Sequence, residues 1–203
     1  MKHLGLIVNP IAGMGGSVGL KGTDGVAAEA ARLGAVRHSG DRAQKALSEL
    51  LPIKDDLCVL CASGEMGEAL ARKLGFPNVQ VVYRSEGETT ADDTIHAARA
   101  MEGADLLLFA GGDGTARNIY EALGEKTVAI GIPAGVKIHS PVYAIRPEAA
   151  GKLALRYLEG RCRHTYEAEV VDIDEAAYRD GRVSTSLYGY LTVPDERDYM
   201  QHG

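Results

Sequence analysis

The chain has no run of basic residues longer than two, and its formal charge is −6 over 203 residues. A nucleic-acid groove needs a basic patch, so nucleic acid is not an expected partner. It also lacks any apolar stretch near the ~20 residues that cross a bilayer. The short apolar start, Met1 to Val8, is broken by Asn9-Pro10 too early for a signal peptide. The expectation is a cytoplasmic protein with no membrane partner. Cysteine is scarce, with three residues, which agrees with a reducing compartment. Cys58 and Cys61 form a C-x-x-C, but inside LCVLCA, a strand pattern. Residues three apart on a strand point to opposite faces, so the pair reads as core cysteine rather than metal or redox site.

Glycine, by contrast, is plentiful: 25 residues in four clusters with no fixed period. That argues for functional turns rather than low complexity. The length suits one α/β domain with a small appendage. Apolar runs at 4–8, 57–62, 79–83, 105–109 and 128–132, with a weaker one at 35–38, read as six strands. Helical patterns alternate with them: 26–33 capped by Asp24, 41–50 capped by Asp41, 65–74, 90–100, 115–123 and 147–158. Thr90 and Asp93 have capping-box spacing, and Pro147 opens the last of these helices. Short crossovers of this kind make an open, mostly parallel sheet with helices on both faces, spanning residues 1–160. After Gly160 the pattern changes. Residues 161–203 carry two β-rich stretches, 165–173 and 182–193, that read as a short antiparallel segment. Two strands make no stable domain, so they either pack on the first domain, pair with another chain, or begin a domain the chain does not complete. A homo-oligomer assembled through this segment is the expectation.

The organising stretch is Leu106 to Leu123, LLLFAGGDGTARNIYEAL: an apolar strand, a glycine turn and a helix. Such a turn aims backbone N–H groups at phosphate above the strand end. Gly111, Gly112 and Gly114 permit close approach, and Thr115 offers a hydroxyl. Asp113 would repel phosphate. It is either a turn residue satisfying local N–H groups, a ligand for Mg²⁺ bridging phosphates, or the base for an attacking hydroxyl. Asn118, three positions after Thr115, is placed to face the same site. Asn9 to Gly25, NPIAGMGGSVGLKGTDG, packs six glycines into seventeen residues and reads as an irregular loop. It is either a mobile surface loop or a backbone cradle, with Asn9 fixing the turn, Gly13, Gly15 and Gly16 lining it, and Lys21 supplying a positive charge. It is not a Walker A motif, and no G-x-G-x-x-G follows the first strand, which disfavours an NAD-dependent oxidoreductase. In PAGVKIHS, Gly135 shapes a third turn, and Lys137, His139 and Ser140 are polar groups over another strand end.

Taken together, NPIAGMGGSVGLKGTDG, GGDGT and GIPAGVKIHS resemble the ATP-NAD kinase family, in its branch described around acetoin catabolism. The wider superfamily includes diacylglycerol and sphingosine kinases, where N-P-x-x-G and G-G-D-G-T recur. The resemblance implies an α/β nucleotide-binding domain followed by a β-sandwich, here truncated, with the cleft between them. It implies ATP and Mg²⁺ as cofactors, NAD or a related small molecule as acceptor, and contact of Asp113 with the acceptor hydroxyl or its deprotonation. Thr89 to Asp93 resembles a stretch usual in the acetoin-related branch. The N-E/D pair that grips the adenosine ribose in NAD kinases has no counterpart, since that region reads GVKIHSPVYA. Two functions follow: an ATP-dependent phosphotransferase, or a nucleotide- or phosphometabolite-binding module without turnover.

Overall fold

The computed structural model describes residues 1–174, 177–178 and 180–202. The first strand, β1 (Lys2–Val8), is buried from Leu4 onward because it lies at the centre of a sheet covered on both faces. The chain then runs through α1 (Met14–Ser17), α2 (Ala27–Arg32), α3 (Ser39–Ser48), β2 (Leu57–Ala62), α4 (Glu68–Lys73), β3 (Val79–Tyr83), α5 (Ala91–Ala100), β4 (Leu106–Gly111), α6 (Asp113–Leu123), β5 (Ala129–Pro133) and α7 (Pro147–Leu158). The five strands are parallel in the order β3-β2-β1-β4-β5. This is a parallel sheet with flanking helices, α3 packed on α7 and α5 on α6. The contact of α3 with α7 is close: a Cβ on Gly151 would stand 2.1 Å from the Ala46 carbonyl oxygen.

The chain order reverses direction between β1 and β4, which are neighbours with Val8 opposite Ala110. In open α/β sheets such a point leaves a crevice at the strands' carboxyl ends, where ligands bind. Both glycine loops leave the sheet there.

Two further strands, β6 (Thr165–Ile173) and β7 (Thr185–Pro194), form an antiparallel hairpin with a bulge between Val170 and Val171. Two strands are not stable alone, and here the hairpin leans on the first layer. Ala168, Val170, Leu191 and Val193 are buried, Gly189 presses against the Tyr120 ring, and Thr192 Oγ1 donates to the Glu125 carbonyl at 2.8 Å. The hairpin packs on the first domain, one of the arrangements the sequence left open. Beyond it the chain returns to the sheet edge. Tyr143 bridges Gly131, Ala144 bridges Met200, and Ile145 N–H donates to the Tyr199 carbonyl at 2.9 Å.

Several expectations need correction. Residues 35–38 form no strand: Val36 is 61% exposed, and one exposed valine beside Arg37 and His38 buries too little to join a sheet. Asp24 and Asp41 cap nothing. The caps of α2 and α3 are Val26 and His38, without side-chain bonds, and Asp41 stands in the first turn of α3, where its charge suits the dipole. The helix expected over 65–74 is broken at Gly67, whose φ of 148° ends a 3₁₀ turn before α4 starts. The glycine-rich loop contains the four-residue α1, and α6 begins at Asp113, two residues early. The Thr90–Asp93 capping box is formed. Cys58 and Cys61 are free, and burial pushes the Cys61 thiol up to about 11.

Candidate functional site

Three loops meet above β1, β4 and β5. Asn9, the first residue past β1, ties two of them. Its N–H donates to the Ala110 carbonyl at 2.9 Å, its Oδ1 accepts from Ile11 N–H at 3.2 Å, and its Nδ2 donates to Thr115 Oγ1 at 3.2 Å. Four residues on, Gly13 has φ 78°, and a Cβ there would stand 2.5 Å from the Ala134 carbonyl oxygen. Gly15 and Gly16 lie in α1; Gly15 N–H donates to the buried Thr23 hydroxyl, and Gly16 faces Val136.

The turn after β4 is held from the third loop. The Gly111 carbonyl accepts from Ala134 and Gly135 N–H at 2.9 and 3.1 Å. Gly112 and Gly135 pack backbone to backbone, and a Cβ on Gly135 would lie 3.0 Å from the Gly112 Cα. The Gly112 carbonyl accepts from the hydroxyl of Tyr143 at 2.5 Å. Tyr143 is fully buried, with its ring over Gly131 and edge-on to Phe109. Burial, then the charges of Asp113 and Asp172, push its hydroxyl well above the usual tyrosine range, so it stays a donor. In the first turn of α6, the N–H groups of Asp113, Gly114 and Thr115 have no acceptor among the described residues.

Asp113 does not face open space. Its side chain is 6% exposed. Oδ1 accepts from Ser140 N–H at 2.9 Å and Oδ2 from His139 N–H at 2.9 Å. His139 Nδ1 stands 3.0 Å from Oδ2, with its side chain 35% exposed. Ser140 is itself fixed: its hydroxyl donates to the Val171 carbonyl at 2.8 Å and accepts from Val171 N–H at 3.0 Å, at the β6 bulge. The carboxylate is thus bound to one loop, and through Ser140 to the hairpin.

Both oxygens of Asp113 already accept N–H groups, so a Mg²⁺ on this carboxylate would share its oxygens with those bonds. Among the described residues no group of three potential metal ligands occurs. The N–H groups at the start of α6 lie beside the two glycine-rich loops, and donors of that kind are ones that can hold an anion.

The expected site residues do not all converge. Asn9, Gly13, Gly111, Gly112, Gly114, Thr115, Gly135 and His139 come together around Asp113. Lys137 is exposed on the third loop. Lys21 lies 4.9 Å over the Tyr178 ring, beyond the hairpin's first strand. Asn118 lines a hollow of about 210 Å³ with Arg117, Tyr120, Glu121 and Tyr188. Arg117, next to Asn118 on α6, bonds Asp172 at 3.1 Å and stacks over Tyr188 at 4.0 Å. Tyr143 and Arg42, whose Nη1 donates to the Pro133 carbonyl at 3.2 Å, were missed: both act across long sequence separations and belong to no motif.

Among solved structures, the chain is similar to a candidate diacylglycerol kinase from Bacillus anthracis str. Sterne. Identity is 16% and the TM-score 0.43, over 85% of this chain and 45% of that one. A second structure of a candidate diacylglycerol kinase from that strain gives 17% identity and a TM-score of 0.40, with 85% and 43% covered. The chain thus spans less than half the length of these structures. No curated protein matches. Residues 4–162 match the ATP-NAD kinase N-terminal domain, and the chain belongs to that family.

Proposed function

We propose that the crevice above β1 and β4 binds a nucleotide or phosphorylated metabolite, and that the domain is a kinase-like module passing phosphate from ATP to a hydroxyl of NAD or a related small molecule. The observation that carries this reading is the meeting of three loops at the sheet's reversal point, with the unpaired N–H groups of Asp113, Gly114 and Thr115 beside them. Those donors suit phosphate. Asp113 then handles the acceptor side of the reaction, and Lys137 offsets phosphate charge. Mg²⁺ would arrive with the nucleotide rather than on a preformed protein site. Within the family, the 89–93 stretch and GVKIHS support the acetoin-related branch.

One observation favours a second reading, a module that binds without turnover: the Asp113 carboxylate is fully engaged by His139 and Ser140. Calorimetric titration of ATP and of NAD, with and without Mg²⁺, followed by a phosphoryl-transfer assay, separates the two. Binding with turnover supports the kinase, and binding without it supports the module. No binding of either nucleotide at millimolar concentration refutes both.

A further inference from the structure

The geometry points to His139 Nε2, rather than Asp113, as the base that takes the acceptor's proton, with Asp113 as the positioning carboxylate. The inference rests on the kinase-like reading above and assigns its proton transfer to an atom.

Asp113 is poorly placed to act directly. Each of its oxygens accepts a backbone N–H within 2.9 Å, and Oδ2 also faces the imidazole. A substrate hydroxyl would also have to reach a side chain that is only 6% exposed and compete there for oxygens that already accept. His139 has the complementary arrangement. A carboxylate oxygen 3.0 Å from Nδ1 holds the ring proton there, which leaves the lone pair on Nε2. Nε2 has no hydrogen bond to any described residue, and the side chain is 35% exposed at the edge of the glycine turn. The Nδ1–Oδ2 contact orients the ring, and the backbone N–H bond to the same carboxylate fixes the main chain that carries it. A carboxylate, an oriented imidazole and an open nitrogen form the arrangement that activates hydroxyl nucleophiles in unrelated enzymes.

The step balances. The acceptor O–H proton passes to Nε2 as its oxygen bonds the terminal phosphorus of a nucleoside triphosphate. The bond from that phosphorus to the bridging oxygen breaks, and the electron pair leaves on the nucleoside diphosphate. The resulting imidazolium faces the Asp113 carboxylate, and Nε2 returns its proton to solvent.

Full-length wild type, His139→Gln, His139→Gly and Asp113→Asn are assayed with ATP, Mg²⁺ and NAD, and ATP affinity is measured for each. The expected result is a loss of about a hundredfold or more in kcat for His139→Gln, unchanged ATP affinity, and partial restoration of His139→Gly by added imidazole, which a structural role would not give. Long-range ¹H–¹⁵N spectra should show His139 protonated on Nδ1 in wild type and moved to the Nε2–H tautomer in Asp113→Asn, where the amide can donate. Turnover by His139→Gln at the wild-type rate overturns the inference and leaves the kinase reading standing. A wild type that binds ATP without phosphoryl transfer overturns the kinase reading and the base role with it. An Nε2–H tautomer in wild type overturns the base role whatever the activity.

Discussion

The contact with the widest consequence is the one at Ser140. Its hydroxyl makes two hydrogen bonds to one residue, Val171, and its N–H makes a third to Asp113. Ser140→Ala removes the first two and keeps the third. Each is worth about 1 kcal/mol net when both partners are otherwise solvated. Ser140 is 0% exposed and Val171 half-buried, so water reaches the freed N–H and C=O only in part. The expected loss is therefore about 2–3 kcal/mol by the same reasoning. For a chain of this size that is roughly 5–10 °C in Tm. Urea unfolding gives the global value. Hydrogen exchange at the Val171 amide gives the local one, with protection expected to fall ~30-fold for 2 kcal/mol. The hairpin should loosen from α6 before the sheet opens. A loss below about 0.5 kcal/mol with unchanged exchange at Val171 would refute the view that Ser140 joins the hairpin to the sheet.

Tyr143→Phe deletes the bond to the Gly112 carbonyl, which still accepts from Ala116 N–H at 3.1 Å; thermal unfolding should show a loss of about 1 kcal/mol, not more. Gly151→Ala normally stabilises a helix by roughly 1 kcal/mol. Here the methyl would press on the Ala46 carbonyl, so urea unfolding should show the opposite sign, a loss of about 1–3 kcal/mol. Tyr83 and Asp93 share a 2.7 Å bond that pushes Tyr83 up to about 12; burial raises Asp93, but its bonds from Tyr83 and Thr90 outweigh that and hold it low. A lowered acid stabilises above its unfolded value near 4, and a raised phenol stabilises below its unfolded value near 10. The stability difference between wild type and Tyr83→Phe should therefore be greatest from about pH 5 to 9, shrinking as pH falls below 4 or climbs from 10 through 12. A difference flat across that range would contradict the bond.

The elements that the sequence revealed best are those whose residues decide locally. Pro147 sets φ for a helix start, and α7 runs from Pro147 to Leu158 as the pattern implies. Thr90 and Asp93 satisfy each other within one turn, so α5 starts where the capping box says. Apolar runs became strands where both faces were covered. The failures share a cause. Val36 has β-branched character, but strand formation depends on a neighbour, and β3 and β5 already bound the parallel order. Asp24 and Asp41 are good cap residues by type, yet capping depends on where the backbone turns, which the preceding chain sets. The hairpin was visible as pattern, but its seat on α6 depends on Gly189 meeting Tyr120 across 69 positions.

The site shows the same divide more sharply. Glycines in GGDG and in the Asn9 loop suggest room for a phosphate. Gly13 admits the Ala134 carbonyl, Gly111 admits the Thr115 side chain, and Gly135 admits the Gly112 Cα. At these positions the missing Cβ is filled by protein, so the glycines let three loops close on one another. The donors without an acceptor among the described residues lie instead at the first turn of α6, where they are backbone and carry no sequence letter. Asp113 follows the same logic. Its residue type suggests a base or a metal ligand, whereas its environment makes it an acceptor for two N–H groups and an imidazole twenty-six positions away. Such an acid can still govern chemistry, but through the ring it orients. A motif lists which residues meet at the strand end; the third loop, pinned by Ser140 to the hairpin, decides which atom among them faces the substrate.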